Sequence, residues 1–129
     1  IKVFNHGDMS RDFTYIDDVI QTMIKLVNKP ATANEDFDKE NPDPSSSWGP
    51  YRIFNVGNSK KIKLLDFIFE LENHIGIKAI MQFEKMQKGD VKSTFSDSKK
   101  LEDFTEFRPN TSIKYGVEKF VEWYRSYYK

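Results

Sequence analysis

A chain of 129 residues, with 20 lysines and arginines against 20 aspartates and glutamates, has the length of one domain that takes roughly two-thirds of its unfolded surface out of water. The balanced charge gives none of the basic footprint of a nucleic-acid binder, and no window holds the roughly 20 apolar residues that cross a bilayer. The absence of cysteine rules out a disulfide frame and a thiolate nucleophile and fits a cytoplasmic protein, while His6 and His74 have no second histidine or cysteine at metal-ligand spacing.

The sequence opens on Ile1, without a signal-peptide pattern, as if entered partway through a strand. Lys2 to Phe4 reads as that strand and Asn5-His6-Gly7-Asp8 as a turn. Phe13 to Ile16 is β-prone, and Asp17 or Asp18 is expected to cap the helix that follows. In that helix Ile16, Val19, Ile20, Met23, Ile24 and Val27 make one apolar stripe, stopped by Asn28 and Pro30. Residues 30–50 are rich in Pro, Ser, Asn, Asp and Glu and read as a long surface loop.

Tyr51 to Val56 is apolar on both faces, which suits a strand covered by helices. It ends at Gly57-Asn58, where a positive φ at the glycine and a helix cap at the asparagine are expected. Leu64, Leu65, Ile68, Leu71 and Ile75 define a second helix closed by Gly76. Ile77 to Phe83 reads as another strand, Lys88-Gly89-Asp90 as a turn, and Asp97 as the cap of a short helix over 98–103. Thr111 or Ser112 starts a last helix with Ile113, Val117, Phe120, Val121 and Tyr124 on its stripe, and Tyr127 to Lys129 are expected to fray. The sum is α/β, with about four helices, three to five short strands and one loop, in a single unit over 1–129.

Several residues have side chains suited to binding. Arg11 presents the planar fork that pairs with phosphate or carboxylate, although its position alone fits a surface ion pair with Asp12 or Asp8 somewhat better. Asn55 stands where a strand meets a turn, the place where open α/β sheets hold ligands. Gln87 to Asp90 puts an amide, an ammonium and a carboxylate in one turn. No glycine-rich dinucleotide loop, P-loop, nucleophile elbow or metal-binding helix is present, so the chain offers binding residues without a catalytic set.

Together, R-D-F-T-Y-I-D-D from Arg11, Y-R-I-F-N-V-G-N from Tyr51 and Q-K-G-D-V-K-S-T-F-S-D from Gln87 resemble the carboxyl-terminal portion of the extended short-chain dehydrogenase/reductase family, the NAD-dependent nucleotide-sugar epimerases and dehydratases. Within it the pattern is most similar to UDP-glucuronate 4-epimerases, including those of capsular polysaccharide biosynthesis. The resemblance implies a substrate-binding part of a Rossmann-type enzyme whose amino-terminal domain, with NAD and a Tyr-x-x-x-Lys pair, would lie upstream of Ile1. It implies that Arg11 reaches the substrate diphosphate, Asp90 hydrogen-bonds the nucleotide ribose and Asn55 lies near the nucleotide. Gln87 stands where many relatives carry a second phosphate-binding arginine, which leaves one positive charge fewer at the site.

The intact enzyme would invert carbon 4 of UDP-glucuronate, interconverting it with UDP-galacturonate through hydride transfer to and from NAD. The chain alone would be inactive, bind no NAD, hold a UDP-sugar, and leave homo-oligomerisation open. Tyr115 and Lys119 match the spacing of the family's catalytic pair, but Val117 between them lies on the core stripe, so they read as helix residues and not as catalysts. Two alternatives stay open: the same portion of a sugar-nucleotide dehydratase or decarboxylase, and a non-enzymatic module that meets a partner through residues 30–50. If a domain normally packs on this chain, apolar surface on the first helix or the 51–56 run should be exposed or covered by a second copy.

Overall fold

The computed structural model describes residues 1–128. In chain order the elements are β1 (Lys2–Val3), β2 (Ser10–Asp12), α1 (Ile16–Asn28), β3 (Lys61–Lys63), α2 (Leu64–Ile75), β4 (Gln82–Phe83), α3 (Lys99–Thr105) and α4 (Ile113–Tyr127). The four helices and short strands expected from the pattern are present, but the strands form two separate pairs. β1 runs parallel to β4 with Val3 opposite Phe83, and β2 runs antiparallel to β3 with Arg11 opposite Ile62. On its other side β2 is joined by the segment after residue 90, through a parallel bridge between Ser10 and Ser93.

Local chemistry sets most element ends where the sequence puts them. Gly76 closes α2 in the left-handed region, φ 81°, where a Cβ is costly. Ser112 caps α4 by accepting the Tyr115 N–H, and Asp97 Oδ1 accepts the Lys99 N–H at 3.0 Å at the start of α3. The expected caps of α1 fail. Tyr15 occupies the cap position without a side-chain bond, and Asp17 and Asp18 lie inside the first turn, where their charge favours the helix dipole. Asp18 is 8% exposed and turns away from its own helix, accepting the Thr111 N–H at 3.0 Å.

Other expectations shift. The β structure falls on Ser10–Asp12 rather than on 13–16, because pairing partners exist only there. Residues 51–56 have no ladder, only one bridge between Ser46 and Arg52, since no strand lies alongside to pair with them. The strand expected over 77–83 narrows to Gln82–Phe83, the two residues that find β1. Gly57 does not take a positive φ; Ser59 does, at 55°, and Asn58 caps nothing but donates to the Thr111 carbonyl at 2.7 Å. Lys61–Lys63 forms a strand where none was expected. At the carboxyl end α4 continues through Tyr127 instead of fraying there, and Lys129 lies outside the described residues.

The core is small, with Leu101, Val3, Ile68, Val117 and Val121 as its buried aliphatic side chains, and α2 packs along α4. Two buried threonines, Thr22 and Thr105, satisfy their hydroxyls on carbonyls one turn back, Asp18 and Leu101, so each buries a methyl without an orphaned polar group. Residues 30–50 form no helix or strand and fold back on themselves, with Asn34 bonded to Ser46. Asp43 ties this loop to α3 through Lys100 at 2.7 Å, and that ammonium, with the Ser45 donors, holds the Asp43 carboxyl far below the usual carboxylate range.

The apolar stripe of α1 meets little of this core. Ile16, Ile20, Met23, Ile24 and Val27 are all exposed, Val27 at 80%, and so is Ile53 in the 51–56 run. Among the described residues no helix is long and apolar enough to cross a membrane.

Thr111 is the junction of three segments, because its N–H is held from α1 by Asp18 and its carbonyl from the 57–59 turn by Asn58. Replacing Asp18 with alanine leaves the part-buried Thr111 N–H without its partner, and we expect a loss of about 1–3 kcal/mol in urea unfolding. Asp18→Asn, which keeps an acceptor oxygen, should lose less.

Candidate functional site

The site grows from β2. Side chains alternate across a strand, so consecutive residues serve opposite sides. Arg11 reaches toward residues 90–92, whereas Asp12 reaches toward Ser59 and Ser96. The Arg11 guanidinium is held from behind, with Nη1 donating to the carbonyls of Ser10 at 2.9 Å and Lys92 at 3.3 Å. Its Nη2 donates to Asp90 Oδ1 at 2.8 Å, and both side chains remain partly open to solvent, 26% and 32%.

Two sequence-predicted site residues, Arg11 and Asp90, are therefore in direct contact. The partner is neither Asp8 nor Asp12: Asp8 pairs with Lys92, and Asp12 faces the other way. Asp90 follows a turn in which Gly89 takes φ 84°, with open space where a side chain would stand. Gln87 heads the same turn and is exposed, its carbonyl facing the Asp90 N–H at 3.4 Å. Asn55 is exposed and its amide donates to the Asp97 carbonyl at a long 3.4 Å, so it lies at the far end of the segment that begins at Asp90.

That segment, 90–98, is the rail on which the site is built. The Ser10 N–H donates to Lys92 O and the Thr94 N–H to Ser10 O, while the Asp12 N–H donates to Thr94 Oγ1. Asp12 Oδ2 accepts from the N–H groups of both Ser96, at 2.9 Å, and Ser59, at 3.0 Å. The Ser59 hydroxyl donates to Ser96 O, and the Ser98 hydroxyl bridges the N–H and carbonyl of Gly57 at 3.0 Å each. A Cβ on Gly57 would stand 2.3 Å from Ser96 Cβ, so only glycine lets the two backbones come this close. Sequence reasoning missed Asp12, Ser59, Ser96 and Ser98; the one visible signal was the polarity of K-S-T-F-S-D, a stretch given no element between the 88–90 turn and the Asp97 cap.

Phe13, Tyr15, Phe67, Ile113, Phe120 and Trp123 line an apolar cleft of about 590 Å³. Burial, then the neighbouring Asp17 charge, raises the Tyr15 phenol above its ordinary value, which keeps it protonated. Lys119 pairs with Glu122 at 2.8 Å and sits over the Tyr115 ring, so the Tyr115/Lys119 spacing corresponds to helix-surface contacts.

NAD can be tested against the residues present. A dinucleotide pyrophosphate needs a glycine-rich turn between a strand and a helix. β2 reaches α1 through Phe13-Thr14-Tyr15, and β3 passes into α2 with no intervening residue, so neither junction supplies that cradle. The described residues also hold no cluster of carboxylates or histidines suited to a metal ion. What this arrangement can do chemically is hold an anion at Arg11 and hydroxyl groups at Asp90.

No family model matches the chain. Its relatives are more informative: the chain matches the carboxyl-terminal part of the NAD-dependent nucleotide-sugar epimerases of the extended short-chain dehydrogenase/reductase family. It is 43% identical to Protein CapI of Staphylococcus aureus over 129 residues, covering all of this chain and 39% of the relative. To the probable UDP-glucuronate 4-epimerase of Rhizobium meliloti it is 37% identical, covering 38% of that protein. Among solved structures it superposes on the UDP-glucuronic acid 4-epimerase of Bacillus cereus, determined with UDP-glucuronic acid and NAD, with a TM-score of 0.74 and 27% identity over 98% of this chain and 35% of that one. Within the family the chain thus sides with the UDP-glucuronate 4-epimerase and CapI group, and it spans about two-fifths of the length of these curated relatives.

The Asp12 carboxylate gives the site its shape. Asp12→Ala would strand the Ser59 and Ser96 N–H groups, and we expect a loss of about 2–4 kcal/mol in urea unfolding, with Asp12→Asn recovering at least half because one oxygen can still accept both.

Proposed function

We propose that this chain is the nucleotide-sugar-holding part of an NAD-dependent UDP-sugar 4-epimerase that interconverts UDP-glucuronate and UDP-galacturonate. The observation that carries the reading is the meeting of Arg11 and Asp90 on one rail, in a chain whose relatives include UDP-glucuronate 4-epimerases. A fixed guanidinium suits a diphosphate, because its planar fork makes charge-assisted bonds to two oxygens at once. A carboxylate beside it suits the vicinal hydroxyls of a ribose, and Asn55 and Gln87 stand at the two ends of the rail as further contacts to the nucleotide. Gln87 supplies a neutral amide, so Lys88 in the same turn is the nearest candidate to offset the second phosphate.

The chain's contribution to the reaction is positioning. Oriented binding lowers a barrier without any bond-making residue, and the residues that hold the cofactor and exchange protons belong to a separate Rossmann part in this reading. The exposed stripe of α1 and the exposed Ile53 support such a division, since an apolar helix face of this size is ordinarily covered. The similarity to CapI supports a role in capsular polysaccharide synthesis, and in this reading the whole protein works in the cytoplasm.

Titration calorimetry with UDP tests the site. The chain should bind UDP, and Arg11→Ala should weaken binding by about 10- to 100-fold, the worth of one or two charge-assisted hydrogen bonds. A chain blind to UDP, or an Arg11→Ala protein that binds as well as the parent, overturns the reading. Incubated with UDP-glucuronate and NAD, the purified chain should form no UDP-galacturonate; detectable epimerisation would place catalytic groups within it.

A further inference from the structure

Arg11 and Asp90 each suit a different part of a nucleotide, yet here they bind each other. The guanidinium is held from behind, with its Nη1 donating to the carbonyls of Ser10 and Lys92. Asp90 is less constrained: it is exposed, it follows Gly89 at φ 84° with nothing packed against that glycine, and its Oδ1 is shared between Arg11 and the Val91 N–H at 2.7 Å. An anion that approaches the free end of the guanidinium meets the carboxylate already there. A diphosphate and Asp90 side by side on one arginine would repel, so one has to give way.

We propose that Asp90 is a specificity-determining residue that occupies the anion position of Arg11 until a nucleoside diphosphate displaces it. This rests on the proposed diphosphate role of Arg11. The phosphate takes over Nη2, and the released carboxylate accepts hydrogen bonds from the ribose hydroxyls of the same ligand. A ligand with both groups exchanges one set of charge-assisted bonds for another. Inorganic pyrophosphate breaks the pair and leaves Asp90 unpaired beside a new negative charge, while uridine offers hydroxyls but nothing to replace the carboxylate on Arg11. The pair thereby selects against bare phosphates, and the site discriminates by what a ligand fails to restore.

The test measures UDP and inorganic pyrophosphate binding by calorimetry on the chain, on Asp90→Asn and on Arg11→Ala, with thermal melts to confirm folding. Asp90→Asn keeps the side-chain shape and removes the competing charge. It should bind pyrophosphate about three- to tenfold more tightly than the parent and UDP more weakly, so the preference for UDP narrows. Pyrophosphate binding that is unchanged or weaker in Asp90→Asn overturns the displacement, because a carboxylate that merely orients Arg11 would help every anion. If instead Arg11→Ala binds both ligands like the parent, the diphosphate reading of Arg11 has failed and the displacement falls with it.

Discussion

One carboxylate oxygen sets the geometry on which the site depends. Asp12 Oδ2 accepts from Ser59 and Ser96 together, residues that lie 47 and 84 positions away in the chain, and so fixes three distant segments at one point. Neither N–H could otherwise be satisfied at this close approach, where Gly57 already has no room for a side chain against Ser96. The other oxygen, Oδ1, is buried without a partner. A buried acceptor left open costs free energy, and it persists here because the oxygen beside it closes two backbone donors. Substituting a larger apolar residue would fill the space but leave both donors stranded.

Alternation along β2 turns this scaffold into a site. Because Asp12 faces the clamp, Arg11 must face the opposite way, toward residues 90–92. The residue that gives the strand its place and the residue proposed to meet an anion are thus neighbours in sequence with separate tasks. Shifting the β2–β3 register by one residue would exchange their faces, placing the guanidinium in the clamp and the carboxylate toward residues 90–92. The ladder of Ser10, Arg11 and Asp12 against Lys63, Ile62 and Lys61 therefore matters more than its three-residue length suggests.

Helices were legible in the sequence because apolar spacing and end chemistry act locally: Gly76, Asp97 and Ser112 each close or open a helix by contacts within a few residues. Strands were legible only in part, since a strand exists by virtue of its partner. The β-prone run at 51–56 finds a single bridge, Ser46 to Arg52, whereas Lys61–Lys63, with two lysines and no obvious pattern, forms a ladder because β2 lies beside it. The same limit applies to the site. Side-chain chemistry marked Arg11 and Asp90 as candidates, but nothing local says that residues 79 positions apart touch, or that Asp18 abandons its own helix to hold Thr111.

The distribution of apolar surface carries the division of labour one step further. α1 is as amphipathic as any helix here, yet its stripe points away from the buried side chains and its polar residues Asp18 and Thr22 point inward. Both inward residues are satisfied, Asp18 by Thr111 and Thr22 by a carbonyl of its own helix, so the inversion follows from tertiary bonds and is no packing accident. A helix anchored by polar contacts on one face and apolar on the other is a mediator between two layers. The polar face joins α1 to the unit that carries Arg11 and Asp90, and the apolar face is open to solvent.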